Sequence, residues 1–199
     1  MKKIILIALM LPVIGSAQTI KLGGGVSMIT QPANSSDAPH LVLSPVGSIA
    51  ADWMINKHIS IGGSVAITQF ARKSINQRVD INANPLPDQI VKSYYGSPAI
   101  IINPRASYHT GDLYFGAQLG LVVAGSKSYY ESGNNVKIYS SSYTGFSAGL
   151  HAGYNKTIVK KIGAFVELSG NYIATGLKTA GSSVSFMQPQ GIAGLSYKI

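Results

Sequence analysis

The chain has 199 residues, of which 46% are hydrophobic and only 12% are charged, and its formal net charge is +9. That charged share is about half of the ~25% found in typical globular proteins, so few ionic residues are present to cover a soluble surface. Cysteine is missing from the sequence, which excludes disulfides, thiolate metal sites and a cysteine nucleophile. The 22 glycines and 11 tyrosines favour strands and turns, and predict one mostly β domain.

The first segment, residues 1–17, has the layout of a secretory signal peptide. A basic start precedes an apolar run from Ile4 to Ile14, and small residues follow up to Ala17. A permanent membrane helix is the alternative, but the run is shorter than the ~20 residues that a span needs. We therefore expect cleavage after Ala17 and export of residues 18–199 as a single barrel domain.

The rest of the sequence alternates with a period of two in eight segments, which predicts eight amphipathic strands. In the first, Leu22 and Val26 share one face while Lys21 and Ser27 share the other. In chain order the eight segments read IKLGGGVSMIT, SPVGSIAADW, HISIGGSVAITQ, AIIINPRASYH, LYFGAQLGLVV, GFSAGLHAGYN, AFVELSGNY and QPQGIAGLSYKI. In each, large apolar residues oppose a face of small or polar residues.

The connections between these strands alternate between short and long. Short turns are predicted at INK, HTGD and NKTIVKK, and long loops at QPANSSDAPH and at residues 71–96, 127–137 and 176–183. Short turns at one end and long loops at the other are typical of a bacterial transmembrane barrel with an apolar outer band. Four outward aromatic residues beside the short-turn end are expected to form a periplasmic girdle, namely Trp53, Tyr108, Tyr154 and Tyr197.

The signal peptide, the hairpin NPRASYHTGDLYFGAQLGL and the closing GIAGLSYKI resemble the small porin-like outer membrane β-barrel family of Gram-negative bacteria, in the style of the OmpA transmembrane domain and OmpX. The resemblance implies an all-β, eight-stranded antiparallel transmembrane up-and-down β-barrel. It also implies delivery by the barrel-assembly machinery, which reads the last strand. Ile199 stands where that strand usually ends in Phe. We expect no periplasmic domain after the last strand.

The interior of an eight-stranded barrel is only wide enough for side chains to fill. Gly145, Gly149 and Gly153 are expected to make room for longer inward residues. A polar cluster is expected in the lumen, formed by Lys21, Asp52, Arg105, His151 and Glu167. Charges inside a membrane protein mark functional sites unless they are paired, and the alternative is a structural plug. We expect Arg105 to pair with Glu167.

Catalysis is a remote alternative. The segment SSDAPH offers Ser35, Ser36, Asp37 and His40, and some small outer membrane barrels modify lipid A or cleave proteins. Sequence proximity does not establish the nucleophile, base and orienting group that such chemistry needs, and these residue types also form ordinary turns. We therefore expect no enzymatic activity.

Other classes of ligand find little support. The four histidines are scattered, no nucleotide-binding glycine motif follows a strand, and export as a membrane barrel argues against nucleic acid. We expect no cofactor and no metal. Four basic residues in the longest predicted loop are candidates for contacts with lipopolysaccharide phosphates, namely Arg72, Lys73, Arg78 and Lys92. A merely solvated loop is the alternative.

A soluble barrel of the lipocalin type would have the opposite polarity, with a polar outer face and an apolar cavity. Outward residues such as Leu119, Leu121, Val166 and Leu168 would leave a soluble monomer with a large apolar patch. We expect a monomeric outer membrane protein, structural or porin-like, whose long extracellular loops contact the envelope or a ligand. A small-solute or ion channel is the alternative, and a lipid A-modifying enzyme a more remote one.

Overall fold

The computed structural model describes residues 18–29, 42–79, 85–132, 135–179 and 182–199. The predicted signal peptide, residues 1–17, lies outside this part of the chain. No helix in the described ranges is long and apolar enough to cross a membrane. Eight strands are present: β1 (Thr19–Ile29), β2 (Val42–Met54), β3 (Ile59–Val79), β4 (Pro85–Thr110), β5 (Leu113–Ser132), β6 (Asn135–Val159), β7 (Ile162–Thr179) and β8 (Ser182–Lys198).

The strands form one closed barrel in which each strand is antiparallel to the next in sequence. β8 returns to β1 and closes the sheet, with Lys21 opposite Ser196 and Ser27 opposite Gln190. Closure gives every strand two neighbours within the barrel, so the barrel itself has no free edge. The predicted eight-stranded up-and-down barrel is confirmed.

The polarity of the wall is also as the alternation predicts. Leu22, Leu150 and Leu168 are 65%, 70% and 66% exposed on the outer face. On the inner face Lys21 and Ser27 are 2% and 0% exposed. An apolar outer surface around a polar interior is the reverse of a soluble barrel and suits contact with lipid.

Three tight turns join the strands at one end of the barrel, at residues 55–58, 111–112 and 160–161. Gly111 has φ of +65°, a left-handed conformation that glycine adopts without steric cost. In the first turn the Asn56 side chain accepts hydrogen bonds from the backbone N–H groups of His58 and Ile59, at 2.8 and 2.9 Å. This end is called the short-turn end below.

The prediction of long loops at residues 71–96, 127–137 and 176–183 is wrong. β3 and β4 remain paired beyond the barrel, with Arg72 opposite Tyr95 and Gln77 opposite Ile90. β5 and β6 likewise pair as far as Ser132 and Asn135. These two paired segments are called the extended hairpins below. Stretches such as KSYYES, residues 127–132, are polar enough to suggest a loop, yet they carry aromatic residues that favour strand pairing. The predicted connection at residues 31–40 lies outside the described residues.

The predicted turn NKTIVKK is likewise shorter than expected. β6 continues to Val159 and β7 begins at Ile162, so Lys160 and Lys161 alone connect them. Lys160 and Lys161 therefore lie directly between the last residue of β6 and the first residue of β7.

Apolar side chains fill the lumen further from the short turns. Ile101 on β4, Val122 on β5 and Ile173 on β7 are 0–1% exposed and belong to one core cluster. Ile101 precedes Arg105 on a strand that runs toward the short-turn end, so this apolar layer lies beyond the charged residues. An apolar layer thus fills part of the lumen beyond the charged residues.

Candidate functional site

The charged residues of the lumen come together from four strands. Lys21 on β1, Asp52 on β2, Arg105 on β4 and Glu167 on β7 are all at least 93% buried. Gly62 on β3 is opposite both Asp52 and Arg105, and has no side chain to separate them. A Cβ atom at Gly62 would collide with the Asp52 side chain. The glycine therefore lets two charged groups meet across an intervening strand.

Arg105 is the centre of this cluster. Its Nε donates to Asp52 Oδ1 at 2.9 Å, and Nη2 donates to Asp52 Oδ2 at 2.7 Å. Its Nη1 donates to both carboxylate oxygens of Glu167, at 3.0 and 3.3 Å. Charge-assisted bonds of this paired geometry are the strong ones among protein hydrogen bonds. One guanidinium thus joins β4 to β2 and to β7 across the interior.

Lys21 completes the charge balance. Its Nζ lies 3.1 Å from Asp52 Oδ2 and 3.7 Å from the centre of the Tyr114 ring. Two cations, Lys21 and Arg105, therefore neutralise two carboxylates, Asp52 and Glu167. A neutral, paired cluster avoids the large cost of an isolated buried charge.

Tyr114 is a member of the site that the sequence interpretation left out. It is 2% exposed, and its hydroxyl donates to Glu167 Oε2 at 2.8 Å. Gly153, opposite Tyr114 in the sheet, makes room for the ring, since a Cβ atom there would overlap it. The alternation of β5 could have identified Tyr114, because it places Tyr114 on the inner face together with Gln118.

His151 lies beside the charged cluster but bonds elsewhere. Its Nε2 is 2.8 Å from Ser107 Oγ, whereas the sequence interpretation gave it Lys21, Asp52, Arg105 or Glu167 as partners. A second such contact joins His109 Nε2 to Ser60 Oγ, also at 2.8 Å.

Neither serine–histidine contact forms a catalytic triad. Within the described residues His151 Nδ1 has no hydrogen-bond partner, and His109 packs against Tyr114 with ring centres 5.6 Å apart. A triad needs a carboxylate on the far nitrogen to orient the imidazole. The other catalytic candidates, Ser35, Ser36, Asp37 and His40, lie outside the described residues. No group of three metal-binding side chains occurs in the part of the chain that the structure describes.

Beyond the charged cluster, uncharged polar side chains also bridge the lumen. Gln118 donates to Asn171 at 2.6 Å, Ser147 donates to Asn103 at 2.6 Å, and the hydroxyls of Ser27 and Thr68 are 2.9 Å apart. Each bond joins strands that are not neighbours in the sheet. These bridges, together with the apolar layer, fill the interior with side chains, as an eight-stranded barrel allows.

The aromatic residues predicted as a girdle lie near the short-turn end. Tyr108, Tyr154 and Tyr197 are 44%, 41% and 47% exposed on the outer face, and Trp53 is partly buried. Tyr108 stacks on His58 of the first turn with ring centres 5.6 Å apart. The basic residues Arg72, Lys73 and Arg78 fall on β3 and Lys92 on β4, in the extended hairpin, and the structure does not describe their side chains.

No family model and no curated protein sequence matches the chain. Among solved structures it is similar to Ail, the attachment invasion locus protein of Yersinia pestis, with a TM-score of 0.50 and 12% identity over 90% of this chain and 97% of that one. Neisserial surface protein A gives a TM-score of 0.46 and 12% identity, over 91% of this chain and 96% of that one. The N-terminal barrel domain of Pseudomonas aeruginosa OprF gives 0.42 and 9%, over 90% and 98%.

The likeness to Ail concerns the fold. At 12% identity over nearly the whole of both chains, it shows the architecture of a small outer membrane β-barrel. The fold predicted from the alternation and from the sequence resemblance is therefore the fold of this chain.

Proposed function

We propose that this protein is an integral outer membrane barrel with a closed interior, which acts through its outer wall and its extended hairpins. The single observation that supports a closed interior best is the Arg105 network, in which one guanidinium binds carboxylates from β2 and β7. A polar layer and an apolar layer add to it. A structural or interaction role follows more readily from this interior than an open pore does.

The outer wall supports placement in a membrane. Large apolar residues are about half or more exposed on seven of the eight strands, among them Leu43, Ile61, Leu121, Phe146 and Leu195. On β4, Tyr108 is 44% exposed. In water such a continuous surface would promote association, whereas lipid covers it. A Gram-negative outer membrane is the proposed location because closed barrels of this type reside there. Assembly as a monomer by the barrel-assembly machinery is part of the same proposal.

The extended hairpins are the proposed contact surface outside the membrane. Arg72 and Lys73 on β3 lie opposite Tyr95 and Tyr94 on β4, so basic and aromatic residues occupy one paired segment. Cations on such a hairpin suit the phosphates of lipopolysaccharide. Replacing Arg72, Lys73, Arg78 and Lys92 with Gln should reduce the lipopolysaccharide that copurifies with the folded barrel.

Location and orientation can be tested together because the sequence has no native cysteine. Ser132→Cys places a thiol at the end of β5 in an extended hairpin, and Lys57→Cys places one in a short turn. An impermeant maleimide applied to intact cells should label the Ser132→Cys protein. It should label the Lys57→Cys protein only after the outer membrane is opened.

The opposite labelling pattern would reverse the proposed orientation, and labelling of both variants only in soluble fractions would contradict membrane insertion. The native chain, which lacks cysteine, is the control for background labelling.

Discrete channel currents from the folded protein would instead support the small-solute or ion channel. Release of acyl chains from lipid A would support the enzyme alternative.

A further inference from the structure

A basic patch lies at the short-turn end of β6, β7 and β8. It consists of Lys156, Lys160, Lys161 and Lys198, and all four side chains are exposed. The backbone N–H of Lys198 donates to the carbonyl of Lys161 at 2.8 Å, so the end of β8 is held against the β6–β7 turn. Lys161 and Lys198, which are distant in sequence, therefore lie side by side at the ends of β7 and β8.

These lysines have no acidic partner in the part of the chain that the structure describes. The ion pairs found there all lie inside the lumen. Asp112, in a neighbouring turn, accepts a hydrogen bond from the Tyr154 hydroxyl at 3.3 Å. The patch is therefore strongly positive.

Apolar side chains adjoin the basic patch. Ile158, Val159 and Ile162 are 65%, 59% and 49% exposed, and they flank the lysines of the β6–β7 turn. Lys161 Nζ lies 6.0 Å from the centre of the Tyr197 ring. Cations beside apolar and tyrosine side chains are typical of the boundary between headgroups and hydrocarbon.

An apolar groove of about 780 Å³ crosses the outer wall above this patch. Small residues of β6, β7 and β8 lie along it, and larger side chains border it. The small residues are Ala152, Gly170 and Gly191, and the larger ones are Val26, Met28, Phe115, Leu150 and Leu168. A Cβ atom added at Gly170 would meet no other atom within 4 Å, so the groove is open to the surroundings there.

The patch and the groove are separated by about the depth of one lipid leaflet. β7 runs from Ile162 beside the lysines to Leu168 in the groove, which is about 20 Å at ~3.3 Å per residue. A strand tilted by about 40° covers ~15 Å of membrane depth over that length. Half of a hydrocarbon core of ~30 Å is the same distance.

We propose that the basic patch binds the phosphate of an anionic phospholipid in the periplasmic leaflet, with an acyl chain lying along β7 and reaching the groove. The charge selects a negative headgroup, and the apolar wall above it selects a lipid over a soluble phosphate. This inference rests on the proposed orientation, in which the short turns face the periplasm.

The test is the association of spin-labelled lipids with the barrel refolded into phosphatidylcholine vesicles, measured by electron paramagnetic resonance. Labelled phosphatidylglycerol should associate several-fold more strongly than labelled phosphatidylcholine, and added salt should reduce that preference. Replacing Lys156, Lys160, Lys161 and Lys198 with Gln should bring the ratio close to one. Lys57→Gln, in a turn on another pair of strands, should leave it unchanged.

Equal association of the two lipids with the folded native barrel would overturn the inference, as would a Gln variant that keeps the full preference. The corresponding Arg variant retains the charge and should retain the preference. If the Gln variant does not fold, the salt dependence in the native barrel decides.

Gly170→Leu tests the groove separately, because it should weaken association without removing the selectivity for the charged headgroup. Failure of the native barrel to enter vesicles would count against the proposed function instead.

Discussion

The guanidinium of Arg105 binds the carboxylate of Asp52 through two parallel hydrogen bonds, 2.9 and 2.7 Å long. The two residues are on β4 and β2, with β3 between them. Such a pair fixes both distance and angle, because the planar guanidinium matches the carboxylate. It therefore acts as a cross-brace inside the barrel, and Glu167 extends the brace to a third strand.

Removing the guanidinium should be strongly destabilising. Arg105→Met leaves Asp52 and Glu167 buried without their main partner, and breaking a buried pair in this way costs about 3–5 kcal/mol. The free energy of unfolding can be measured in urea from the change in gel mobility of unboiled samples. Lys57→Gln, an exposed change, should alter it by no more than about 0.5 kcal/mol. Similar unfolding curves for both variants would show that the brace contributes little.

The room left by Gly153 can be tested with matched substitutions to alanine. Gly153→Ala places a methyl group against the Tyr114 ring and should cost about 1–3 kcal/mol. Gly47→Ala is the control, because a Cβ there has no other atom within 4 Å. In a Tyr114→Ala background, Gly153→Ala should lose part of its effect, because the ring is gone whereas the Val166 carbonyl oxygen, 2.6 Å from the added Cβ, remains. An unchanged cost in that background would contradict the assigned contact.

Charge placed on the outer wall should report the depth of each position in the membrane. Leu168 is 66% exposed on β7, and Ile162 is 49% exposed at the start of the same strand. Leu168→Arg should cost about 2–4 kcal/mol near the midplane, and Ile162→Arg about 0–1 kcal/mol near the boundary. Refolding equilibria in vesicles measure both. Equal costs would mean that the strand does not cross the bilayer as proposed.

Trp53 is the only tryptophan in the sequence, so its fluorescence reports one position. It follows Asp52 near the end of β2, at the short-turn end. If it belongs to an aromatic girdle, lipids brominated near the headgroup should quench its emission more than lipids brominated at the chain end. Stronger quenching from the chain end would place Trp53 at the bilayer centre and contradict the girdle. Trp53→Phe provides the background signal.

Much of the barrel could be predicted from the sequence because alternation with a period of two assigns each side chain to a face. It places Lys21, Arg105 and Glu167 on the inner face and Leu168 on the outer one. Alternation does not give the register between distant strands, or the direction in which a long side chain extends. For that reason alternation groups His151 with the charged residues, whereas its hydrogen bond is to Ser107.

The extent of the strands was less predictable than their polarity. Serine, asparagine and lysine are common in loops, but they also occupy paired strands outside a membrane, where no buried face imposes alternation. The sequence predicts a loop at residues 71–79, whereas these residues form the end of β3. A tyrosine on an inner face can serve for packing or for a hydrogen bond, so alternation alone does not place Tyr114 in the polar cluster.

Planar-bilayer conductance of the refolded protein tests the closed interior most directly, with gel mobility of boiled and unboiled samples as the folding control. The native barrel should show no discrete current steps. Discrete, reproducible steps from the folded native protein, altered by replacing Glu167, would contradict the closed interior and identify a channel.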